Sequence, residues 1–328
     1  MQNVTKLSNE FAKPDYINGR YCNPASFKTW KGLPTFFDIL KWKLFERNES
    51  LLPSKEELAK TLPIQIPKFD LQSSLSATWL GHATVFIHLE SINIITDPVF
   101  ANRVSPSKYF GPQRYRSCPC SIDDLPEINI GVISHNHYDH LDSETVKQIS
   151  KKNPKMVWFV PLGIKSFMDK IVNGVNVIEK NWGEMEKLII NEKEYSILCT
   201  PAQHWSQRSA FDRCKTLWSG WAIFGSNHKI FYPGDTGFCA DEFRKLGEKY
   251  GPFQFAALPI GCYHNVPSWV PQSQHINPEE AVEIHKLIKA EYSMGIHWGT
   301  YALAPDESLF HSIHYKVTLN YESFFISK

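Results

Sequence analysis

No window of the 328-residue sequence offers a run of about 18 apolar residues, so the sequence predicts no membrane-spanning helix. The opening segment, MQNVTKLSNE, has no apolar core, and we therefore expect no secretory signal of the usual kind. The net charge is only +1, which excludes a strong overall field of the kind that attracts nucleic acid. Any attraction to an anionic surface must therefore be local.

Paired cysteines are also missing. The seven cysteines are scattered, odd in number and without a C-x-x-C pair, which excludes a disulfide-rich scaffold and indicates reduced thiols in a cytosolic protein. Cys118 and Cys120 form a C-P-C that could suggest a metal site, but the second pair that a structural zinc site needs is absent from the sequence. The 42% hydrophobic composition is enough for one large core.

What the sequence does have is a dense group of metal-binding side chains in Ile130 to Asp142, IGVISHNHYDHLD. A branched apolar run with the length of a buried strand stops at Ser134. Four side chains that can bind metal follow within six residues, namely His135, His137, Asp139 and His140. A turn that leaves a rigid strand can aim such side chains at one point. The alternative, a polar surface turn, fits this density of histidines poorly.

Three more residues of the same chemistry stand at or just past the end of short apolar segments, namely His204, Asp235 and His297. Because sites in α/β proteins commonly lie at strand ends, we expect four strands to deliver these ligands to one edge of a sheet. Seven ligands suit two metal ions better than one, since a tetrahedral zinc is filled by three or four. Nitrogen-rich donors without thiolate favour zinc, with iron and manganese as alternatives.

These segments resemble a known family. The H-x-H-x-D-H run with the later histidines and aspartate is similar to the metallo-β-lactamase superfamily. More narrowly, WLGHAT (Trp79 to Thr84), PAQHW (Pro201 to Trp205), QHINPEEA (Gln274 to Ala281) and IHWGT (Ile296 to Thr300) resemble the N-acylphosphatidylethanolamine-hydrolysing phospholipases D. The likeness extends from about Gly19 to about Ala304. The residues alone predict a metal site, and the resemblance also implies an activity for it.

The resemblance implies two zinc ions per chain. One ion would be held by His135, His137 and His204. The other would be held by Asp139, His140 and His297. Asp235 would bridge the two and so belong to the catalytic residues. Two cations in such a site depress the pKa of a shared water, so a hydroxide would be present at neutral pH to attack phosphorus.

Other residues receive supporting roles from the resemblance. Asp97, in T-D-P, would fix the histidine loop by hydrogen bonds without touching metal. Tyr138 and His275 match positions that contact substrate, and His275 could orient a phosphate oxygen or donate to the leaving group. The alternative for His275 is a cap on the helix that starts near Pro278. His82 is interpreted as a hydrogen-bonded structural histidine rather than a ligand.

The implied substrate is a membrane phospholipid, N-acylphosphatidylethanolamine, cleaved between phosphorus and the ethanolamine oxygen. The expected partners are this lipid and a membrane surface, without nucleic acid, and the expected location is inside the cell, peripheral on cytoplasmic membrane faces. A homodimer is a family expectation. Two alternatives stay open: a hydrolase of the same superfamily for a soluble phosphodiester or lactone, and a catalytically silent lipid-binding protein with structural metals. The segments Tyr263 to Ser273 and beyond Ala304 depart from the family pattern.

The predicted fold is of the α/β (α+β) class, an αβ/βα four-layer sandwich in which two packed sheets carry helices outside. Residues 75–328 would form the catalytic domain and residues 1–74 an N-terminal extension. The extension contains a basic amphipathic helix, Pro34 to Arg47, which either docks on the core or lies at a bilayer interface. The basic, aromatic segment Phe100 to Cys120 is either a solvated loop or a lipid entrance whose arginines face phosphate.

Overall fold

The computed structural model describes residues 10–33, 54–107, 109–172, 174–263, 273–301, 303 and 324–326. The predicted amphipathic helix Pro34 to Arg47 lies outside these residues, as do residues 264–272 of the first departing segment and most of the chain beyond Ala304. Within the described ranges, no helix combines the length and the apolar character needed to cross a bilayer.

The N-terminal part of the described chain is a small hairpin followed by a short helix. Strands β1 (Asp15–Ile17) and β2 (Arg20–Cys22) pair antiparallel. Helix α1 (Lys55–Thr61) begins after Ser54, whose Oγ accepts a hydrogen bond from the Glu57 backbone N–H at 3.1 Å. The spacing of Ser54 and Glu57 in the sequence predicts a capping box, and the structure contains the hydrogen bond to the serine side chain.

Two sheets form the body of the described protein. In the six-stranded sheet the first three strands are antiparallel and the rest are parallel. Its strands are β3 (Leu75–Gly81), β4 (Thr84–Leu89), β5 (Ile92–Thr96), β6 (Ile130–Val132), β7 (Val157–Pro161) and β8 (Asn176–Lys180). In the seven-stranded sheet neighbours in the chain are neighbours in the sheet, and the pairing turns parallel after β12. Its strands are β9 (Met185–Ile190), β10 (Lys193–Thr200), β11 (Gly220–Phe224), β12 (Lys229–Tyr232), β13 (Phe253–Pro259), β14 (Ala290–Ile296) and β15 (Phe324–Ile326).

The sheets pack face to face because their strands are apolar on both faces. Along β4, Val85 and Ile87 enter a core cluster shared with Ile197 of β10, whereas Phe86 points to the opposite side of the sheet. The opposite side is covered by α2 (Ser143–Lys152) and α3 (Lys165–Met168). Alternate residues of one strand therefore serve two cores, as expected for a sheet buried on both faces.

Helices α4 (Ala240–Lys249) and α5 (Pro278–Leu287) complete the outer layers. Phe243 of α4 packs edge-on against Phe231 of β12, with ring centroids 6.3 Å apart. The four-layer sandwich predicted from the sequence is thus confirmed. The sequence pattern also predicts a helix over Lys165 to Val172, whereas α3 ends at Met168. The pattern does not predict strand β13.

Candidate metal centre

Four loops at one end of the sandwich bring the predicted ligands together. The loop after β6, in the six-stranded sheet, carries residues 135–140. The loops after β10, β12 and β14, in the seven-stranded sheet, carry His204, Asp235 and His297. The expectation of a single sheet edge is therefore wrong. The site forms where the ends of the two sheets meet, which is why segments far apart in sequence reach one point.

A first cluster consists of three histidines. The Nδ1 atom of His137 lies 2.7 Å from His135 Nε2 and 3.4 Å from His204 Nε2. All three ligating atoms lie within 4.8 Å of one another. Three imidazole nitrogens that face one another at this spacing are a donor set suited to a divalent metal ion.

A second cluster combines a carboxylate with two histidines. The Nε2 atoms of His140 and His297 are 3.1 Å apart. Asp139 Oδ2 lies 3.4 Å from the first of these nitrogens and 3.7 Å from the second. The two histidines come from different sheets, so this cluster joins the two halves of the sandwich.

Asp235 lies between the clusters. Its Oδ2 atom is 3.1 Å from His140 Nε2 and 3.8 Å from His204 Nε2, and its Oδ1 atom is 3.1 Å from His297 Nε2. Oδ1 is buried, and its contact with His297 does not have the geometry of a hydrogen bond. A buried carboxylate oxygen of this kind is costly unless a cation or a proton donor meets it. The seven donors therefore have the chemistry to hold divalent metal, and Asp235 contacts side chains of both clusters.

The electrostatics of the site favour neutral rings in the first cluster and positive charge near Asp235. Burial lowers the pKa of His137 to about 4 and that of His204 well below its usual value. Burial alone would raise the pKa of Asp235, but His140 and His297 outweigh it and hold that pKa well below its usual range. Burial lowers the pKa of His297, yet the facing carboxylates outweigh it and raise that pKa to about 9. Ionised carboxylates and neutral imidazoles are the metal-binding forms.

Asp97 lies behind the second cluster. Its carboxylate accepts a hydrogen bond from the Ser134 backbone N–H at 2.7 Å and faces His140 Nδ1 at 2.6 Å. The hydroxyls of Ser134 and Tyr232 donate to the same carboxylate. Because a carboxylate only accepts, His140 must carry a proton on Nδ1, so Nε2 is the nitrogen that can lose its proton and present a lone pair to a metal ion. Asp97 thereby fixes the tautomer and orientation of this ring.

His275 lies against the centre rather than in the helix cap. Its Nδ1 atom is 3.8 Å from Asp235 Oδ2, and its ring stacks on that of His297 with centroids 5.6 Å apart. This Nδ1 atom is buried without a hydrogen-bond partner among the described residues. Helix α5 is capped instead by Asn277, whose side chain accepts from the Glu280 backbone N–H at 2.7 Å. The alternative interpretation of His275 as a helix cap is therefore wrong.

Tyr138 is held by an arginine that sequence reasoning gave no role. The Arg208 guanidinium lies 4.0 Å from the centre of the Tyr138 ring, and the tyrosine hydroxyl donates to the Arg208 carbonyl at 3.2 Å. Arg208 Nη1 donates to the carbonyls of Asn136 and Leu141 at 3.0 and 2.6 Å. One side chain thus binds both ends of the histidine loop. Bonds to backbone carbonyls leave no pattern in a sequence, so this contact could not be found there.

His82 was interpreted as structural from the sequence, and the structure places it at the second cluster. Its Nε2 atom lies 2.9 Å from Asp139 Oδ2, and its ring centroid is 4.1 Å from that of His297. The ligating atoms of His82, Asp139, His140 and His297 all lie within 4.8 Å of one another. In the sequence His82 stands in the motif GHAT, but the distance of this motif from the histidine loop along the chain gives no indication of a contact with Asp139.

The arginines at the end of the basic loop do not face an entrance. Arg114 is buried and donates from Nη2 to the Val99 carbonyl at 2.9 Å. Arg116 is buried as well, donates to the Pro63 carbonyl at 3.1 Å and lies over the Trp79 ring. For these two residues the expectation that they face phosphate is wrong. Their charges hold the loop against the core, which shows that a basic segment need not be a basic surface.

The chain is similar to known proteins over most of its length. Residues 92–298 match the family described as the beta-lactamase superfamily domain. The chain is 48% identical over 306 residues to N-acyl-phosphatidylethanolamine-hydrolyzing phospholipase D 1 of Caenorhabditis elegans, covering 91% of this chain and 85% of that protein. It is 38% identical to the mitochondrial N-acyl-phosphatidylethanolamine-hydrolyzing phospholipase D of Saccharomyces cerevisiae, covering 89% and 69%. The solved structure of Igni18, a metallo hydrolase from Ignicoccus hospitalis, has a TM-score of 0.56 at 23% identity over 77% of this chain and 95% of that one.

Proposed function

The chain belongs to the N-acylphosphatidylethanolamine-hydrolysing phospholipase D family of the metallo-β-lactamase superfamily, and from this premise we propose that it hydrolyses N-acylphosphatidylethanolamines with two zinc ions. Water adds to phosphorus and the bond from phosphorus to the ethanolamine oxygen breaks. The products are phosphatidic acid and an N-acylethanolamine. The observation that carries the proposal is the position of the Asp235 carboxylate between two three-residue clusters of metal-binding side chains.

Each cluster is proposed to hold one ion. His135, His137 and His204 would hold the first ion, Asp139, His140 and His297 the second, and Asp235 both. Bound there, two divalent cations would supply a hydroxide at neutral pH and offset negative charge on the phosphoryl oxygens. Donors that are nitrogen and carboxylate oxygen without thiolate support zinc. Asp97 would keep His140 in the tautomer that presents Nε2 to its ion.

His275 and Tyr138 are proposed to act on the substrate. His275 presents a buried ring nitrogen without a partner among the described residues, 3.8 Å from the carboxylate that would bridge the ions. That position suits a group that donates a proton to the departing ethanolamine oxygen or binds a phosphoryl oxygen. Tyr138 lies in the histidine loop itself, between two proposed ligands, where a lipid headgroup bound at the ions would meet its ring.

The reaction is tested by hydrolysis of a defined N-acylphosphatidylethanolamine in water enriched in oxygen-18. We expect the label in the phosphate of phosphatidic acid and none in the N-acylethanolamine, because the nucleophile attacks phosphorus and the ethanolamine keeps its own oxygen. A chelator should stop release of both products, and added zinc should restore it. Label in the N-acylethanolamine, or release that survives chelation, would contradict the proposal. Vesicle binding without any hydrolysis would support the silent lipid-binding alternative instead.

We propose that exposed aromatic residues of two loops contact the membrane. Tyr109 and Phe110 are 82% and 78% exposed, and Phe211 is 82% exposed. The loop that carries Tyr109 and Phe110 also carries Val104, which belongs to a small apolar cluster against which Tyr138 packs. The loop that carries Phe211 also carries Arg208, which contacts the same tyrosine. Exposed aromatics beside a lipid-cleaving centre are suited to the headgroup level of a bilayer. We further propose a place on cytoplasmic membrane faces and, as an expectation for the family, a homodimer.

Replacing Phe110 and Phe211 together by aspartate should weaken binding to phosphatidylcholine vesicles by about 10-fold or more, because each burial of a large apolar side chain contributes roughly 1.5–3 kcal/mol. Vesicle sedimentation measures the binding. Ile189, which is 78% exposed on the edge strand β9, provides the matched control, and Ile189→Asp should bind vesicles like the parent. Turnover of substrate dispersed in detergent should be unchanged in both variants. Equal loss of vesicle binding in the control would show that the two loops have no special role.

A further inference from the structure

We propose that His82 is a positioning residue of the second cluster, where its Nε2–H holds the Asp139 carboxylate in the orientation that binds the ion. The inference rests on the proposed function in one respect, that Asp139, His140 and His297 bind a metal ion. It assigns a role to a histidine that belongs to neither proposed ligand set.

The contact between the two side chains has a defined direction. His82 Nε2 lies 2.9 Å from Asp139 Oδ2, and His82 is buried. A carboxylate that binds a cation can only accept hydrogen bonds, so the imidazole nitrogen must be the donor. The donated bond restricts rotation of the Asp139 carboxyl group and determines how its oxygens face the cluster.

Asp139 needs such a partner more than its neighbours His140, His297 and Asp235 do. Its side chain is 16% exposed, whereas those of His140, His297 and Asp235 are at most 3% exposed. Its remaining contacts in the cluster are with the two histidines that would face the ion themselves. Among the described residues, His82 is therefore the partner outside the proposed ligand set that can hold Asp139.

Comparable partners stand behind three other ligands. His140 Nδ1 faces Asp97 at 2.6 Å, His204 Nδ1 faces the Gln274 carbonyl at 3.0 Å, and His135 Nδ1 faces the Ser134 hydroxyl at 2.8 Å. In each case a group outside the cluster forms a hydrogen bond with Nδ1 and so fixes the orientation of the ring. His82 does for the carboxylate ligand what these groups do for the rings.

His82 is itself rigidly held by its backbone. Its N–H donates to Thr300 Oγ1 at 2.7 Å, and its carbonyl accepts from Trp79 Nε1 and from the His297 backbone N–H, both at 2.8 Å. The residue has φ +53° in the turn between β3 and β4, a region that asparagine also adopts readily. The bond to the His297 backbone means that one residue connects ligands from both sheets.

Two variants distinguish whether His82 acts by donating a hydrogen bond to Asp139 or only by adopting the positive φ of the turn. His82→Gln has an amide nitrogen at about the distance of imidazole Nε2 from the backbone but suits a positive φ poorly. His82→Asn suits the positive φ but is too short to reach Asp139. A donor role predicts that the glutamine variant retains more function than the asparagine variant. A purely backbone role predicts the reverse order.

Stepwise binding of Co²⁺ to metal-free protein, followed by calorimetry and by visible absorption, provides a readout that does not depend on turnover. Here the second equivalent means the one that binds at the second cluster, in whichever order the two ions bind. We expect His82→Asn to weaken this equivalent by about 10- to 100-fold while the other binds as in the parent. His82→Gln should restore most of the second affinity. As a control for loss of a buried histidine elsewhere, His88→Asn, in β4 and hydrogen-bonded to Asn93, should leave both equivalents unchanged.

The proposal is overturned if His82→Asn binds the second equivalent as tightly as the parent, or more tightly than His82→Gln. Loss of the first equivalent to the same extent as the second would also overturn it, since the contact is made to the second cluster alone. Hydrolysis of lipid by the parent is measured separately. Absence of that hydrolysis, together with the expected order of Co²⁺ affinities, would count against the proposed reaction and not against the role of His82.

Discussion

Asp235→Asn should lower kcat/KM on N-acylphosphatidylethanolamine vesicles by at least about 10³-fold, in the range that loss of a preorganised electrostatic group produces. Asparagine keeps the shape of the side chain but removes the negative charge that lies 3.1 Å from both His140 Nε2 and His297 Nε2. Since Asp235 is also 3.8 Å from His204 Nε2, the change affects both clusters. We therefore expect fewer than two metal ions per chain in this variant, measured on the same preparation as the rate.

Asp241→Asn is the matched control for this substitution. Asp241 lies in the first turn of α4, where its partly exposed carboxylate pairs with Arg244 at 2.7 Å. Removal of this charge should leave metal content and turnover unchanged, because exposed ion pairs contribute little to stability. An Asp235→Asn protein that retains two ions and full turnover would show that the carboxylate between the clusters is dispensable, contrary to our account.

His275→Ala should reduce kcat by about 10²- to 10⁴-fold while two metal ions remain bound, the range expected for loss of a general acid or base. The expectation follows from the position of its ring, beside the clusters but with a buried Nδ1 atom that has no partner among the described residues. Retained metal content distinguishes this result from that of Asp235→Asn. Full turnover by His275→Ala with both ions bound would exclude a catalytic role.

A second substrate separates the two proposed roles of His275. A phosphodiester with a nitrophenol leaving group needs no proton donor, because nitrophenolate departs without protonation at neutral pH. If His275 donates the proton, His275→Ala should cleave this substrate nearly as fast as the parent does. If His275 binds a phosphoryl oxygen, the variant should be impaired on both substrates to a similar degree.

The meeting of the candidate ligands could be predicted from the sequence because each of the four segments that carry them follows a short apolar run. His135 follows the run that ends at Ser134, and Asp235 lies just past KIFY (Lys229 to Tyr232), whose apolar pattern predicts the strand that the structure shows as β12. What the pattern could not show is which sheet each strand joins. β6 and β12 look alike in sequence, yet they lie in different sheets, so one sheet edge was predicted where two meet.

The sequence also did not reveal which residues form buried contacts with the candidate ligands or with the basic loop. His82 and Asp139 are 57 positions apart, and a single histidine at a turn does not reveal its acceptor. Arg114 and Arg116 were expected to face phosphate because their charge is visible in the sequence while their burial is not. Their acceptors are mainly backbone carbonyls, which any residue can supply. Sequence patterns therefore indicate candidate metal-binding side chains better than the groups that hold them in place.

The central claim is that seven side chains hold a pair of divalent metal ions that hydrolyse N-acylphosphatidylethanolamine. The most direct test is mass spectrometric metal analysis per chain during zinc titration of metal-free protein, with N-acylethanolamine release measured at each point. The account predicts that release rises as the second equivalent binds and reaches its maximum at two ions per chain. Full release with less than one ion per chain, or no release with two, would contradict it.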